Sequence, residues 1–218
     1  MLYSKKGNFI FISYPKTATT AFQKVIKAID ESATTNSFPK EHCNIKIPEH
    51  STALKIKNLI GDDYESTKKI CFVRNPYEKV VSAYFFLKNG KPLVKGSIFN
   101  YNDNLKNFFY ALITQLKIYL AKILPFEIWS ILYPFKKNLN YILDDKDEFL
   151  VNYICKTETI IDDLMFVFDT INYEKKNSFT LKKINISKHN KAENYFHRKW
   201  HKKLFEKNTK EKLNFINL

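Results

Sequence analysis

FISYPKTATTAF, residues 11–22, changes character halfway along. The apolar run NFIFIS (8–13) stops at Tyr14-Pro15, and from Thr19 onward Phe22, Val25, Ile26 and Ile29 recur at intervals of three and four. A bulky apolar run bounded by Gly7 and a proline reads as a buried strand; the later spacing puts four apolar residues on one face of a helix reaching Ala28 or Asp30. The stretch is a strand, a turn and a helix, with one lysine and three threonines between the two.

The same grammar returns in KKICFVRNP (68–76), an apolar strand of about Lys69 to Val73 followed by Pro76 at a first helical position, with Asn75 as candidate cap. Its helix, YEKVVSAYFFLKN, ends before Gly90. Between the two units, residues 31–49 are polar and punctuated by proline and read as loop. HSTALKIKNLIGDD (50–63) then gives a short helix capped by Ser51 and stopped at Gly61. VNYICKTETIIDDLMFVFDTI (151–171) reads as a third strand and helix, with Ile160, Leu164, Val167, Phe168 and Ile171 on one helical face. Strands alternating with helices imply an α/β fold with a central parallel sheet.

Residues 91–150 are apolar and aromatic between Phe108 and Phe135, but Lys117, Lys122, Pro125 and Glu127 interrupt them, so a core helix pair is expected and no membrane span. At the C-terminal end, Phe196, Trp200 and Leu204 stand four apart among lysines, the pattern of a basic amphipathic helix. Such a helix docks its stripe on the core, or it binds an acidic polysaccharide, nucleic acid or a membrane surface; docking is the expectation here.

At 218 residues, 44% of them hydrophobic, the chain can bury the core of one domain, taken as residues 1–218. Cys43, Cys71 and Cys155 are too widely spaced for a disulfide framework or a zinc site and are read as reduced and structural. No histidine, cysteine or carboxylate cluster has metal-ligand spacing, so no metal is expected. The first residues lack the pattern of a secretory signal, and a cytoplasmic location is the expectation. The net charge of +14 suits an anionic partner, although a compositional bias toward lysine, asparagine and isoleucine explains it equally well. Arginine occurs only as Arg74 and Arg198, which makes Arg74 the more informative.

In open parallel sheets ligands sit beyond the carboxyl ends of strands, where helix N-termini present N–H groups and partial positive charge to an anion. YPKTATT occupies that position. Lys16 adds a full charge, and Thr17, Thr19 and Thr20 add hydroxyl donors. The order is not that of a Walker A loop, in which the lysine follows the glycines. Standing alone, the segment is explained as well by threonines bonding their own backbone. FVRNPYEKVVSAYF (72–85) adds Arg74, whose planar fork of donors matches a phosphate, and Ser82 about two helical turns on, able to face the same pocket.

Together PKTATT and RNPYEKVVSAY resemble the sulfotransferases that use 3'-phosphoadenosine 5'-phosphosulfate (PAPS), closest to the carbohydrate-type branch. In that family a P-K-[ST]-G-[ST]-[ST] loop holds the 5'-phosphosulfate and an R-N-P-[YW]-[DE]-R-x-x-S-x-Y segment the 3'-phosphate. The resemblance implies a P-loop-like three-layer α/β/α fold. It implies PAPS as co-substrate without a metal, and a hydroxyl-bearing acceptor, a glycan. Cofactor contacts are implied from Lys16, Thr17, Ala18, Thr19, Thr20, Arg74 and Ser82. Ala18 replaces the usual glycine, and at positive φ it would carry about 1 kcal/mol of strain. Lys79 replaces an arginine, keeping charge and losing the fork. HSTALKIKNLIGDDY, VNYICKTETIIDDL and the INIS of Asn185 and Ser187 extend the resemblance, while 91–150 match little and read as a helical insertion on the acceptor side.

Lys16 is the candidate for stabilising the leaving group. His50, where the resemblance supplies a histidine, is the candidate base, with Glu49 in reserve. His42, His189, His197 and His201 lie in polar or lysine-rich stretches and read as surface residues, and the TETIIDD acids read as helix caps. Two other functions compete: a P-loop-like nucleotide phosphotransferase, which lacks its Walker motifs, and a basic nucleic-acid-binding module, which leaves Lys16, the threonines and Arg74 without a common purpose. No specific nucleic acid is expected as partner, and peripheral membrane contact stays open.

Overall fold

The computed structural model describes residues 1–40, 43–90, 105–132, 141–180 and 191–209, with side chains left out at 105–111 and 208–209. The chain forms two compact units, one of Met1–Asn75 with Lys136–Ile186 and one of Pro76–Phe135 with Ser187–Leu218.

The first unit is an α/β sandwich built on a five-stranded sheet. In chain order its described elements are β1 (Leu2–Ser4), β2 (Phe9–Ile12), α1 (Thr19–Ile29), β3 (Ala33–Thr35), β4 (Ser37–Lys40) and β5 (Cys43–Lys46). Then come α2 (Ala53–Ile60), α3 (Asp63–Ser66), β6 (Lys68–Val73), β7 (Tyr153–Lys156) and α7 (Ile160–Thr170). The sheet order is β3-β1-β2-β6-β7, and β4 pairs with β5 apart from it. The expected parallel core is β2-β6-β7, with Phe11 opposite Ile70 and Phe72 opposite Cys155. On one edge β1 and β3 add antiparallel, so the sheet is mixed.

Alternation along the strands makes the three layers. Phe9 and Phe11 of β2 and Ile70 and Phe72 of β6 face Phe22 and Ile26 of α1 and Leu164, Val167 and Phe168 of α7. Their neighbours Ile10, Ile12 and Cys71 face Ala53, Ile56 and Ile60 of α2 on the other side. Side chains at successive strand positions point to opposite faces, so one short apolar run serves both cores. Each buried phenylalanine is worth about 2 kcal/mol, enough to fix the strand ends from which the loops below depart.

The far end of α1 is tied down by Asp30, which is 1% exposed. It accepts from Ser4 Oγ, from Tyr173 OH at 3.0 Å and from Ser32 N at 2.9 Å. Burial pushes its carboxyl up, but the hydrogen bonds from Ser32, Ser4 and Tyr173 outweigh it and hold the group below its ordinary range.

Residues 31–49, expected as loop, contain three strands. β3 pairs with β1, and β4 with β5, although Pro39 sits within β4. β3 owes its ladder to the distant β1, while β4 and β5 are near neighbours in sequence whose polar residues and Pro39 conceal them. The cap of α2 is Thr52, whose hydroxyl accepts from Lys55 N; Ser51 Oγ instead donates to the Pro48 carbonyl, closing the preceding turn.

The second unit is helical: α4 (Pro76–Lys88), α5 (Leu105–Ile123), α6 (Phe126–Leu132) and α8 (Lys199–Thr209). The expected pair between 91 and 150 is α5 and α6. Val80, Val81 and Tyr84 of α4 pack with Phe126 and Trp129 of α6 and with Phe196 and Phe205. The C-terminal helix docks, but not by the expected stripe. Phe196 is buried ahead of the helix, His201 and Phe205 are buried within it, and Trp200 and Leu204 are 49% and 41% exposed. His201, expected at the surface, is fully buried, 2.7 Å from Ser130 Oγ and stacked on Phe196. Among the described residues no helix is long and apolar enough to cross a membrane, and all three cysteines are free.

Candidate active site

Because β2, β6 and β7 are parallel neighbours, their carboxyl ends lie side by side, and three connections leave from that end. They begin at Ser13, Arg74 and Thr157.

The first connection is fastened by its own hydroxyls. Thr17 Oγ donates to the Tyr14 carbonyl at 2.9 Å and Thr19 Oγ to the same oxygen at 2.8 Å. Thr17 is fully buried and Thr19 is 7% exposed, so the hydroxyl protons expected to meet a ligand hold the turn closed instead. What these residues offer an anion is backbone. Lys16 and Ala18 have φ of 66° and 58°, while the φ of Thr17 between them is negative. Alternation of left-handed and other residues is how successive N–H groups come to share a concavity that suits an anion. Ala18 does take the left-handed conformation that favours glycine, with its strain of about 1 kcal/mol. As N-cap of α1 it makes no side-chain bond, and the first turn of α1 contains no acid. Thr20 is exposed on that turn.

Arg74, at the end of β6, donates from Nη1 to the Lys16 carbonyl at 3.3 Å. The two strand exits thus converge, and two cationic side chains share one neighbourhood. Burial, and next the charge of Arg74, lower the Lys16 ammonium from 10.5 to about 8. Two like charges held this close disfavour each other's charged form, and an anion beside them would relieve that repulsion.

His50 stands at the root of the Lys16 loop. The turn at Pro48–Ser51 puts it at φ 56°, and its Nδ1 lies 3.0 Å from the carbonyl of Ser13. A carbonyl only accepts, so Nδ1 carries a proton and the nitrogen left to exchange one is Nε2. That nitrogen is 3.6 Å from Glu49 Oε1, a carboxylate placed to stabilise the ring once it takes a proton. Ser13 Oγ is in turn held by Gln23 Nε2 at 2.8 Å.

Ser82 and Lys79 are 6% and 4% exposed on α4, in the second unit. The TETIIDD acids, expected as caps, do not cap α7: its N-cap Thr159 makes no side-chain bond. Asp163 Oδ2 instead accepts from Lys156 N at 2.6 Å, and Glu158 Oε1 accepts from Asn75 N at 3.0 Å. Local sequence carries no signal for the second bond, whose ends lie 83 residues apart. His197 is exposed. His42, His189, Asn185 and Ser187 lie outside the described residues. Among the described residues no group of three or more histidines, cysteines and carboxylates could hold a metal ion.

In comparison with known proteins, the family model described as the Sulfotransferase family matches residues 1–217. No curated protein matches the chain. No solved structure matches it.

Proposed function

The chain belongs to the sulfotransferase family, and from that premise we propose that it moves a sulfuryl group from PAPS to a hydroxyl of a carbohydrate acceptor, residues 1–218 acting as one catalytic domain. The observation that supports this reading most is the Arg74 to Lys16 bond, which joins the loop and the strand end that would hold one doubly anionic nucleotide. The donor set fits such a ligand: the backbone of a loop with two left-handed residues, a helix start without a side-chain cap, an ammonium and a guanidinium fork.

When bound, the nucleotide supplies the sulfuryl group and a phosphate that departs with negative charge. The Lys16–Thr20 backbone is assigned to the 5' side and Arg74 to the 3'-phosphate. Lys16 would act on the departing oxygen, where its ammonium gains most as charge accumulates, so it favours the transition state over the bound ground state. At neutral pH a group titrating near 8 is still mostly protonated, and a bound anion raises it further. His50 Nε2 would take the acceptor's proton, with Nδ1 fixed by Ser13 and the new imidazolium stabilised by Glu49. The net charge of +14 suits an anionic glycan.

Thermal-shift titration tests the reading, because a ligand that binds only the folded chain raises its stability by mass action. Adenosine 3',5'-bisphosphate should raise the melting temperature at concentrations where ATP with magnesium does not. A preference for ATP with magnesium, or a salt-dependent shift with duplex DNA alone, would overturn it.

A further inference from the structure

We propose that Glu158 is a positioning residue, one that sets the Arg74 guanidinium by clamping the turn in which Arg74 stands; the proposal rests on the nucleotide reading above. The β7–α7 connection grips that turn at two points. Thr157 N donates to the Val73 carbonyl at 2.9 Å, and Asn75 N donates to Glu158 Oε1 at 3.0 Å. Residues 157 and 158 therefore hold residues 73 and 75, one on each side of Arg74. The first contact continues the β6–β7 ladder by one step past Val73 and Lys156. The second cannot be a ladder bond, because the chain has left the strand, and a side chain takes over.

Sequence explains why a side chain is needed. Pro76 has no N–H, so Asn75 carries the last backbone donor between the strand and α4. The residue before a proline is also disfavoured in the helical region, so the turn cannot simply run on from β6 into the hydrogen-bonding pattern of α4. Glu158 supplies a fixed acceptor there. Its own loop is held in turn: Asp163 Oδ2 accepts from Lys156 N, and Asp163 N donates to the Thr159 carbonyl at 3.0 Å. The chain of restraint runs from α7 through Glu158 and Asn75 to Arg74, and from Arg74 Nη1 to the Lys16 carbonyl. Glu158 is exposed and packs into no apolar cluster, so it can be changed without opening the core.

A hydrogen-bond clamp and a simple charge effect make opposite predictions for two conservative changes. Glu158→Gln keeps an acceptor oxygen at the same reach and loses the charge. Glu158→Asp keeps the charge and is one methylene too short. The readout is the ratio of dissociation constants for adenosine 5'-phosphate and adenosine 3',5'-bisphosphate, which isolates the 3'-phosphate that Arg74 would hold. A defect that merely loosened the fold would weaken both ligands together.

Wild type should prefer the bisphosphate. Glu158→Ala and Glu158→Asp should each lower that preference about tenfold, while Glu158→Gln stays within about threefold of wild type. All three should melt within about 3 °C of wild type, as expected for an exposed site in a chain of this size. Glu158→Ala with an undiminished preference would overturn the clamp, as would rescue by aspartate with failure of glutamine. If Glu158→Ala fails to fold, the Gln and Asp comparison still decides. A wild type without any preference for the bisphosphate would overturn the nucleotide reading itself, a result distinct from failure of the clamp.

Discussion

The loop from Tyr14 to Thr20 and the turn from Val73 to Asn75 leave neighbouring parallel strands at the same end of the sheet, yet they are held by different means. The loop is fastened within itself: two threonines spend their hydroxyls on one carbonyl three and five residues back. The turn is fastened from outside, by a connection more than eighty residues further along the chain. A self-fastened loop keeps its shape when its surroundings change, and it can store strain, as Lys16 and Ala18 do at positive φ. An externally fastened turn takes its shape from a third element, so it can be tuned or lost at a distance. The proposed anion site depends on both, because Arg74 bridges them.

Four sets of variants separate the two regions. Removing the charge of the loop should have the largest effect. Lys16→Met should lower turnover about 10²- to 10³-fold, the scale for losing one preorganised charge-stabilising donor, while binding of adenosine 3',5'-bisphosphate weakens much less. Equal losses in steady-state kinetics and in calorimetric affinity would make Lys16 a binding residue only. The same variant should be more stable than wild type at pH 7. Its folded pKa of about 8 lies below the unfolded 10.5, so the protonated lysine costs stability below pH 8 and the cost fades between 8 and 10.5. Chemical denaturation at pH 7 and pH 10.5 measures that closing gap.

On the other side of the comparison, Arg74→Ala should weaken the bisphosphate by about ten- to a hundredfold, since it removes charge-assisted bonds to phosphate. It should leave the Lys16 loop folded. Hydrogen exchange at the amides of 16–20 unchanged in the free protein would bear this out; loss of protection there would show that the loop is not self-fastened.

Thr17→Val combined with Thr19→Val tests the fastening directly. Both are nearly isosteric, and losing two buried hydroxyl bonds should cost about 2 kcal/mol in denaturant unfolding, with bisphosphate affinity falling alongside. A stability change within about 0.5 kcal/mol would mean that the hydroxyls hold nothing. The smallest effect is expected at Ala18→Gly. Relieving the left-handed alanine should gain up to about 1 kcal/mol, or roughly 2–4 °C in melting temperature. A loss would place the strain elsewhere.

The same contrast governs what the sequence discloses. The crossings at 8–30 and 68–88 were legible because their order is local: the shift from an apolar run to spacing of three and four marks strand and helix without knowledge of any partner. Lys16 and Arg74 were legible as a pair because each stands at such a crossing. The three strands within 31–49 were not, since they are three or four residues long, expose polar faces and owe their ladders to β1 or to each other. The C-terminal helix was recognised but misphased by one position. Phe196 precedes the helix rather than lying on it, and His201, polar by type, takes the buried place that Trp200 was expected to fill. The threonines were identified as part of the loop while the direction of their hydroxyls was not, because bonding the loop's own carbonyl and bonding a ligand ask for the same residue. Glu158 had no local signal at all. Its acid is explained as well by the start of α7 as by the turn it holds.

The most direct test of a single site formed by Lys16, Arg74 and the nucleotide is proton uptake on binding adenosine 3',5'-bisphosphate, read by calorimetry at pH 8 in two buffers of different ionisation enthalpy. A lysine near pKa 8 beside Arg74 is half protonated there, and a bound phosphate should complete it. The expected result is uptake of about half a proton in wild type and none in Lys16→Met. Binding without uptake in wild type, or uptake that persists in Lys16→Met, would contradict a shared site.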